Sequence, residues 1–124
     1  MANLLEKTQR IMEMVAAGQF VEGMEEFYAD DVVNVEGDGT RTEGKSTLIA
    51  NERAFLEKVT AYHGAKIGPI ASASDDGQGN GVTFAQYSIC ADLTDGKFTP
   101  DQVQVTQWKD GKVAEVRFYY DPRF

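Results

Sequence analysis

Residues 101–120 read DQVQVTQWKDGKVAEVRFYY, and this stretch predicts a β-hairpin. Two runs with two-residue alternation flank Asp110-Gly111, a dipeptide that tolerates the positive φ of tight hairpin turns. One face of the hairpin is expected to carry Gln102, Gln104, Thr106 and Trp108, with Ala114, Val116, Phe118 and Tyr120. The other face is expected to carry Val103, Val105, Gln107 and Lys109, with Val113, Glu115, Arg117 and Tyr119. The aromatic face is predicted to point inward, because the other face carries the charged side chains of Glu115 and Arg117, which are costly to remove from water.

The second half of the chain has the same extended character throughout. Strands are predicted at 62–73, 81–92, 98–109 and 112–120. Turns rich in glycine and aspartate separate them at 75–81, 94–97 and 110–111. Such turns join neighbouring antiparallel strands, so the four segments are predicted to form a meander.

The first half is predicted to be mainly helical. A first helix is predicted to begin at the capping pair formed by Asn3 and Glu6, and to stop at Gly18. Its apolar face carries Leu4, Leu5, Thr8, Ile11, Met12 and Val15. A short second helix places on one side Phe20, Met24, Phe27 and Tyr28. A strand at 32–36 and a helix at about 45–59 follow, the helix with an apolar stripe of Leu48, Ile49, Phe55, Leu56 and Val59. Helices followed by strands favour an α+β fold, in which a curved antiparallel sheet wraps around the three helices.

The composition excludes several classes of protein. The chain has 124 residues, which predicts a single domain over 1–124, and its net charge of −8 disfavours binding to nucleic acid or to an anionic membrane surface. One cysteine and one histidine exclude an internal disulfide and a zinc cluster, and no cofactor motif is present in the sequence. Cys90 is expected to be a buried, inert thiol. Charges interrupt the first 15 residues, so we expect a cytoplasmic protein without a signal peptide.

Three motifs carry a resemblance to a known family. They are Glu26-Phe27-Tyr28-Ala29-Asp30-Asp31-Val32-Val33, then Glu43-Gly44-Lys45, and then Gln107-Trp108-Lys109-Asp110-Gly111-Lys112-Val113 leading to Arg117-Phe118-Tyr119-Tyr120-Asp121-Pro122. Together with the element order, they resemble the SnoaL-like group of nuclear transport factor 2-like proteins, whose cystatin-like α+β cone is related to that of ketosteroid isomerase. The resemblance implies a mostly apolar pocket between the helices and the sheet, and an outer sheet face that often pairs two subunits. Val103 and Val105 make that outer face partly apolar here, which predicts a homodimer through it. The same fold hosts isomerases, cyclases, dehydratases, hydrolases and inert members, so it does not decide the chemistry.

Strand parity and the apolar helix faces indicate which residues line such a pocket. Its apolar wall is expected to contain Met12, Phe55, Phe84, Trp108, Val116, Phe118 and Tyr120. Its polar groups are expected to be Asn34, Glu36, Glu52, His63 and Gln104. By similarity to ketosteroid isomerase, Glu36 occupies the position of the general base, and an exposed glutamate before a turn is the alternative. The isomerase's tyrosine and aspartate positions fall on Ile11 and Gln104, so neither the isomerase nor the cyclase mechanism carries over intact.

Two further polar residues interrupt faces that are otherwise apolar. Glu52 lies within the stripe of the third helix, where it either faces the pocket or pairs at the stripe edge with Arg53 or Lys45. His63 follows eleven residues later, at the start of a strand. A carboxylate beside an imidazole makes a general base near neutral pH, so His63 is predicted to be the base and Glu52 its orienting partner. The alternative is a histidine bonded to the backbone at the strand start.

Two functions therefore remain open at the level of sequence. One is acid–base chemistry on a small, largely apolar molecule, catalysed by His63 with Glu52, or by Glu36, with Gln104 as hydrogen-bond donor. The other is a non-catalytic ligand-binding or dimeric accessory protein. Acid–base chemistry is the leading hypothesis, and the absence of an acid at Gln104 and of a tyrosine at Ile11 adds weight to the second.

Overall fold

The structure is a computed structural model that describes residues 3–121. Its helices are α1 (Leu4–Ala16), α2 (Phe20–Phe27) and α3 (Lys45–Leu56). Its strands are β1 (Tyr28–Val35), β2 (Arg41–Glu43), β3 (Val59–Asp75), β4 (Gly81–Leu93), β5 (Gly96–Phe98), β6 (Asp101–Lys109) and β7 (Lys112–Tyr120). Pro122, the end of the last sequence motif, lies outside the described residues.

The strands form one curved sheet in the order β2-β1-β7-β6-β4-β3, and β5 pairs with β4. The α+β fold predicted from the sequence is confirmed. One pairing differs from the predicted antiparallel pattern, because β1 runs parallel to β7. The last strand thus lies between the first strand and β6, and it joins the two halves of the chain.

Several boundaries differ from the predicted ones. Tyr28 opens β1 instead of ending α2, and α3 stops at Leu56, so that Val59 begins β3. The segment predicted as one strand at 98–109 is divided, and Pro100 lies between its two parts. Proline has no N–H to donate to a strand ladder, which explains the interruption. The short strands β2 and β5 were not predicted.

The predicted cap and the inner face of β6 are confirmed. The side chain of Asn3 accepts the N–H of Glu6 at 2.8 Å, and α1 begins at the next residue, Leu4. On β6, the buried residues are Gln102, Gln104, Thr106 and Trp108. On β7 the predicted alternation fails at Val113, which is fully buried. A β-bulge between Gln107 and Trp108 adds one residue to β7 and turns Val113 inward.

The outer face of the sheet carries a small apolar patch of four residues, Phe84, Val103, Val105 and Tyr119. Phe84 lies opposite Val105 across β4 and β6, and Val103 lies opposite Tyr119 across β6 and β7. Tyr119 is 55% exposed. Cys90 is exposed as well, which corrects the prediction of a buried thiol. Within residues 3–121, no helix has the length and apolar character needed to cross a membrane.

Candidate functional site

A cavity of about 650 Å³ lies between the helices and the inner face of the sheet. This volume falls within the range of small-molecule sites. Seven aromatic side chains contribute to its wall, and they are Phe20, Phe55, Phe98, Phe118, Tyr28, Tyr62 and Tyr87. The polar side chains that line it include Asn34, Glu36, Thr42, Asn51, Glu52, Gln102 and Gln104. The cavity is therefore mainly apolar, with a few polar groups concentrated on β1, α3 and β6.

Glu36 follows the last residue of β1 and lies at the cavity wall. A tight turn fixes its backbone, since its N–H donates to the carbonyl of Thr40 at 2.9 Å. Its carboxylate is held on both sides: Asn34 Nδ2 donates to Oε1 at 2.8 Å, and the Tyr120 hydroxyl donates to Oε2 at 3.3 Å. Asn34 has the same strand parity as Glu36, so both side chains face the interior, as predicted.

Glu52 reaches the same cavity from α3. It follows Leu48, the buried residue of that helix, by four positions and therefore shares its face. Its carboxyl group forms no hydrogen bond with any residue of the described chain. Desolvation raises the pKa of Glu52, and the negative charge of Glu36 raises it further. The protonated form of Glu52 is thus favoured relative to an exposed glutamate.

The alternative partners of Glu52 are engaged elsewhere. Arg53 pairs with the carboxylate of Glu25 at 3.3 Å, and Lys45 Nζ donates to the backbone carbonyl of Glu25 at 2.7 Å. Both contacts lie on the exposed side of α3. Of the two arrangements open from the sequence, Glu52 adopts the one that faces the pocket.

Tyr28 is a second cavity group without a hydrogen-bond partner. It lies where α2 passes into β1, and it is only 9% exposed. Its hydroxyl bonds to no side chain or backbone group in residues 3–121. Burial raises the pKa of Tyr28, and the charges of Glu52 and Glu36 add to the effect. The phenol therefore remains protonated at neutral pH, with a hydroxyl group available to a ligand.

Gln104 lines the cavity as predicted, but part of its amide is already used. Tyr87 donates its hydroxyl to Gln104 Oε1 at 2.6 Å, and Gln104 Nε2 donates to the Thr106 hydroxyl at 3.2 Å. One amide hydrogen of Gln104 remains for a ligand. Tyr87 was not singled out in the sequence, although its parity on β4 matches that of the other inward residues.

His63 does not join Glu52, so the predicted pair is wrong. His63 Nε2 lies 2.9 Å from Asp92 Oδ2, and half of the histidine side chain is exposed. The inward position at the start of β3 belongs to Tyr62, whose hydroxyl donates to the carbonyl of Val15. Bulges on both sides of Tyr62 set the direction of these side chains, and spacing from α3 does not reveal them.

Five of the seven apolar residues predicted to line the pocket do not belong to its wall. Met12, Trp108 and Val116 are almost completely buried and fill the core. Trp108 packs edge to face on Phe27, with ring centroids 6.3 Å apart. Phe84 belongs to the outer apolar patch. Phe55 and Phe118 do line the cavity, while Tyr120 acts at its edge through Glu36.

The electrostatics of the cavity are one-sided. Its described lining includes two glutamates and no lysine, arginine or histidine. The charges of Glu36 and Glu52 also raise the pKa of the buried Tyr87, after desolvation as the larger cause. In the part of the chain that the structure describes, no group of three or more His, Cys, Asp or Glu residues could hold a metal ion.

Three helices packed on a curved mixed sheet, with a half-open and mainly apolar cavity between them, form the cone fold of nuclear transport factor 2-like proteins. The SnoaL-like domain family matches residues 4–120, nearly all of the sequence. The chain belongs to the SnoaL-like family.

Solved structures share the fold. A protein of Mesorhizobium loti, provisionally assigned as a SnoaL-like polyketide cyclase, superposes with a TM-score of 0.73 at 22% identity, covering 96% of this chain and 100% of that one. A nuclear transport factor 2-like protein of unknown function from Burkholderia pseudomallei gives 0.76 at 15% identity, covering 98% and 92%. An LEH-like epoxide hydrolase of M. tuberculosis gives 0.72 at 15% identity, covering 94% and 81%. At these identities the likeness shows the fold alone. No curated protein matches the chain.

Proposed function

We propose that the cavity carries out acid–base chemistry on a small, largely apolar molecule, with Glu36 as the base and Glu52 as the proton donor. One observation supports this above all: two carboxyl groups face a single apolar cavity in different surroundings. Paired carboxyl groups with contrasting environments are a common basis for dividing the roles of acid and base.

The two roles follow from the contacts of each group. Glu36 accepts hydrogen bonds from Asn34 and Tyr120, so its oxygens are aligned as proton acceptors. Glu52 has no such donors, and its raised pKa favours the form that carries a proton. Tyr28 and the remaining amide hydrogen of Gln104 supply further donors to a substrate oxygen. Isomerisation, cyclisation, dehydration and hydrolysis all fit this set of groups.

The names of two similar structures are consistent with the proposal. One is provisionally a polyketide cyclase and the other an epoxide hydrolase. The test is a panel of small apolar ketones, epoxides and alcohols, assayed for turnover with the native protein and with Glu36→Gln. Turnover that disappears in Glu36→Gln supports the proposal. Turnover unchanged in that variant contradicts it.

A non-catalytic ligand-binding protein is the second candidate, favoured by a specific observation. The acid–base aspartate expected at the position of Gln104 is replaced by an amide that is already bonded to Tyr87 and Thr106. Compounds that bind without turnover across the whole panel would favour this candidate.

The assembly that we propose is a homodimer through the outer sheet face. Its support is the patch of Phe84, Val103, Val105 and Tyr119, whose members are direct neighbours across three adjacent strands. Exposed apolar patches of this kind commonly mark protein–protein contacts.

A further inference from the structure

We propose that the cavity prefers an apolar molecule that bears a protonated amine, with the ammonium group placed between Glu36 and Glu52. This inference rests on the proposed use of the cavity as a small-molecule site, and it names the class of molecule.

The first argument is the missing counter-charge. A carboxyl group that is partly removed from water stays ionised at neutral pH most readily when a cation or hydrogen-bond donors compensate its charge. Asn34 and Tyr120 compensate Glu36 in part, whereas nothing in residues 3–121 compensates Glu52. The nearby cations of α3 contact Glu25 on the exposed side of the helix. The described lining supplies no cation, and a ligand ammonium group would stabilise the ionised form of Glu52, which desolvation and the charge of Glu36 otherwise disfavour.

The second argument is the number of free acceptors. An alkylammonium group has three N–H donors and needs three acceptors. Glu36, Glu52 and the hydroxyl of Tyr28 all belong to the cavity lining, and the last two have no hydrogen-bond partner within the described chain. All three groups line the same cavity, and the charges of both glutamates contribute to the raised pKa of Tyr28.

The third argument concerns the rest of the ligand. Phe55 and Phe98 pack with ring centroids 4.8 Å apart, and Phe20 and Tyr62 with centroids 5.5 Å apart. Both pairs line the cavity. Aromatic walls bind apolar groups through burial and attract a cation at the ring face. An anionic ligand gains the burial but meets the negative field of both glutamates.

The test uses three probes of nearly equal size, 4-phenylbutylamine, 4-phenylbutan-1-ol and 4-phenylbutanoate. Their affinities for the full chain are measured by isothermal titration calorimetry at pH 8, where the amine is protonated. We expect the amine to bind at least about tenfold more tightly than the alcohol, as a partly buried charge pair with cation–π contacts implies, and the carboxylate to show no binding. Equal or tighter binding of the alcohol overturns the inference, as does binding of the carboxylate or absence of binding by the amine.

Variants connect the preference to the named groups. Glu52→Gln keeps the shape of the side chain and is expected to reduce the affinity for the amine about tenfold while leaving the alcohol unchanged. Glu57→Gln removes an equal charge at the exposed end of α3 and is the matched control. Amine affinity that stays the same in Glu52→Gln overturns the inference. The two proposals can fail separately. If the native protein binds the alcohol more tightly than the amine, and if Glu36→Gln loses turnover, the preference for an amine is rejected and the acid–base proposal stands.

Discussion

The hydroxyl of Tyr120 lies 3.3 Å from Oε2 of Glu36, and the two residues are 84 positions apart in the chain. Parallel pairing of β1 with β7 creates this contact, because the carboxyl ends of two parallel strands lie at the same end of the sheet. The ring of Tyr120 also covers Gly37, where a Cβ atom would lie only 2.9 Å from the ring carbons. The backbone beside Glu36 thus depends on a glycine and on the last strand.

Replacing the proposed base gives the first prediction. Glu36→Gln preserves the shape of the side chain but accepts no proton, so we expect turnover of any substrate found in the panel to fall at least about 100-fold. Tyr120→Phe should cause a smaller loss, since Asn34 still donates to Glu36. Steady-state kinetics measure both effects, and Glu57→Gln is the control. A larger loss in Tyr120→Phe than in Glu36→Gln would contradict the assignment of the base.

The second prediction concerns the pH dependence of stability at Glu52. The ordinary pKa of its carboxyl group is 4.5, and burial raises this pKa in the folded state. Between the two values the folded protein retains a proton that the unfolded chain releases, so the free energy of unfolding decreases as pH rises through this interval. Glu52→Gln removes the decrease. Urea denaturation should therefore show the variant gaining stability relative to the native protein from pH 4.5 upward, with a constant difference above the raised pKa.

The same denaturation series contains its own control. Glu57→Gln should run parallel to the native protein across this range, because the side chain of Glu57 is exposed. If the free energy of unfolding of Glu52→Gln, relative to that of the native protein, decreased as the pH rises, the predicted sign would be wrong.

His63 provides the third prediction. Its side chain is half exposed and contacts Asp92 on the surface, away from the cavity lining. We expect His63→Ala to retain ligand affinity and turnover, with a change in unfolding free energy below about 1 kcal/mol, as for exposed ion pairs. Calorimetric titration and urea denaturation test this. Loss of turnover in a stably folded His63→Ala protein would restore the histidine as a catalytic candidate.

The fourth prediction concerns a buried hydroxyl in the core. Thr83 is fully buried, its Oγ1 accepts the indole N–H of Trp108 at 3.0 Å, and it bonds to the Thr8 hydroxyl at 2.7 Å. Thr83→Val leaves the indole N–H without an acceptor, which should lower the free energy of unfolding by about 1–3 kcal/mol. Thr99→Val at an exposed position is the matched control. Equal stability of the two variants would show that the bonds of Thr83 contribute nothing.

The fifth prediction tests the proposed homodimer. Sedimentation equilibrium at micromolar concentration should give twice the mass of the 13.7 kDa chain. Val105→Asp places a charge in the middle of the outer apolar patch and is expected to give a monomer. Ser46→Asp on the exposed side of α3 is the control and should leave the dimer intact. A native protein with the mass of one chain would end the proposal.

Local patterns predicted most of the fold. Asn3 caps α1 as expected, and Asp110-Gly111 joins β6 to β7 in a tight turn, because these signals depend on a few adjacent residues. The three-residue strands β2 and β5 escaped prediction, since such short segments have no measurable alternation. The parallel pairing of β1 with β7 depends on contacts between distant segments, which no local pattern contains.

The candidate site was predicted only in part. Parity correctly turned Asn34, Glu36 and Gln104 inward, because alternation on an unbroken strand fixes the face. Parity failed at Val113, where a β-bulge shifts the alternation by one residue, and spacing from α3 failed at His63, where bulges on both sides of Tyr62 set the direction of the side chains. Trp108 lies on the predicted face but in the packed core, since parity gives the face and not the position along the strand. Tyr87 was missed because its role depends on Gln104, a partner 17 residues away.

The position of β7 in the sheet has a consequence for the order of events during synthesis. A ribosome releases β1, α3 and β6 before β7, yet β7 lies between β1 and β6, and it brings Phe118 to the cavity and Tyr120 to Glu36. Until it does, the edges of β1 and β6 have no partner, and unpaired strand edges invite association between nascent chains. Completion of the cavity and pairing of these strand edges are therefore the same step, and both await the last strand.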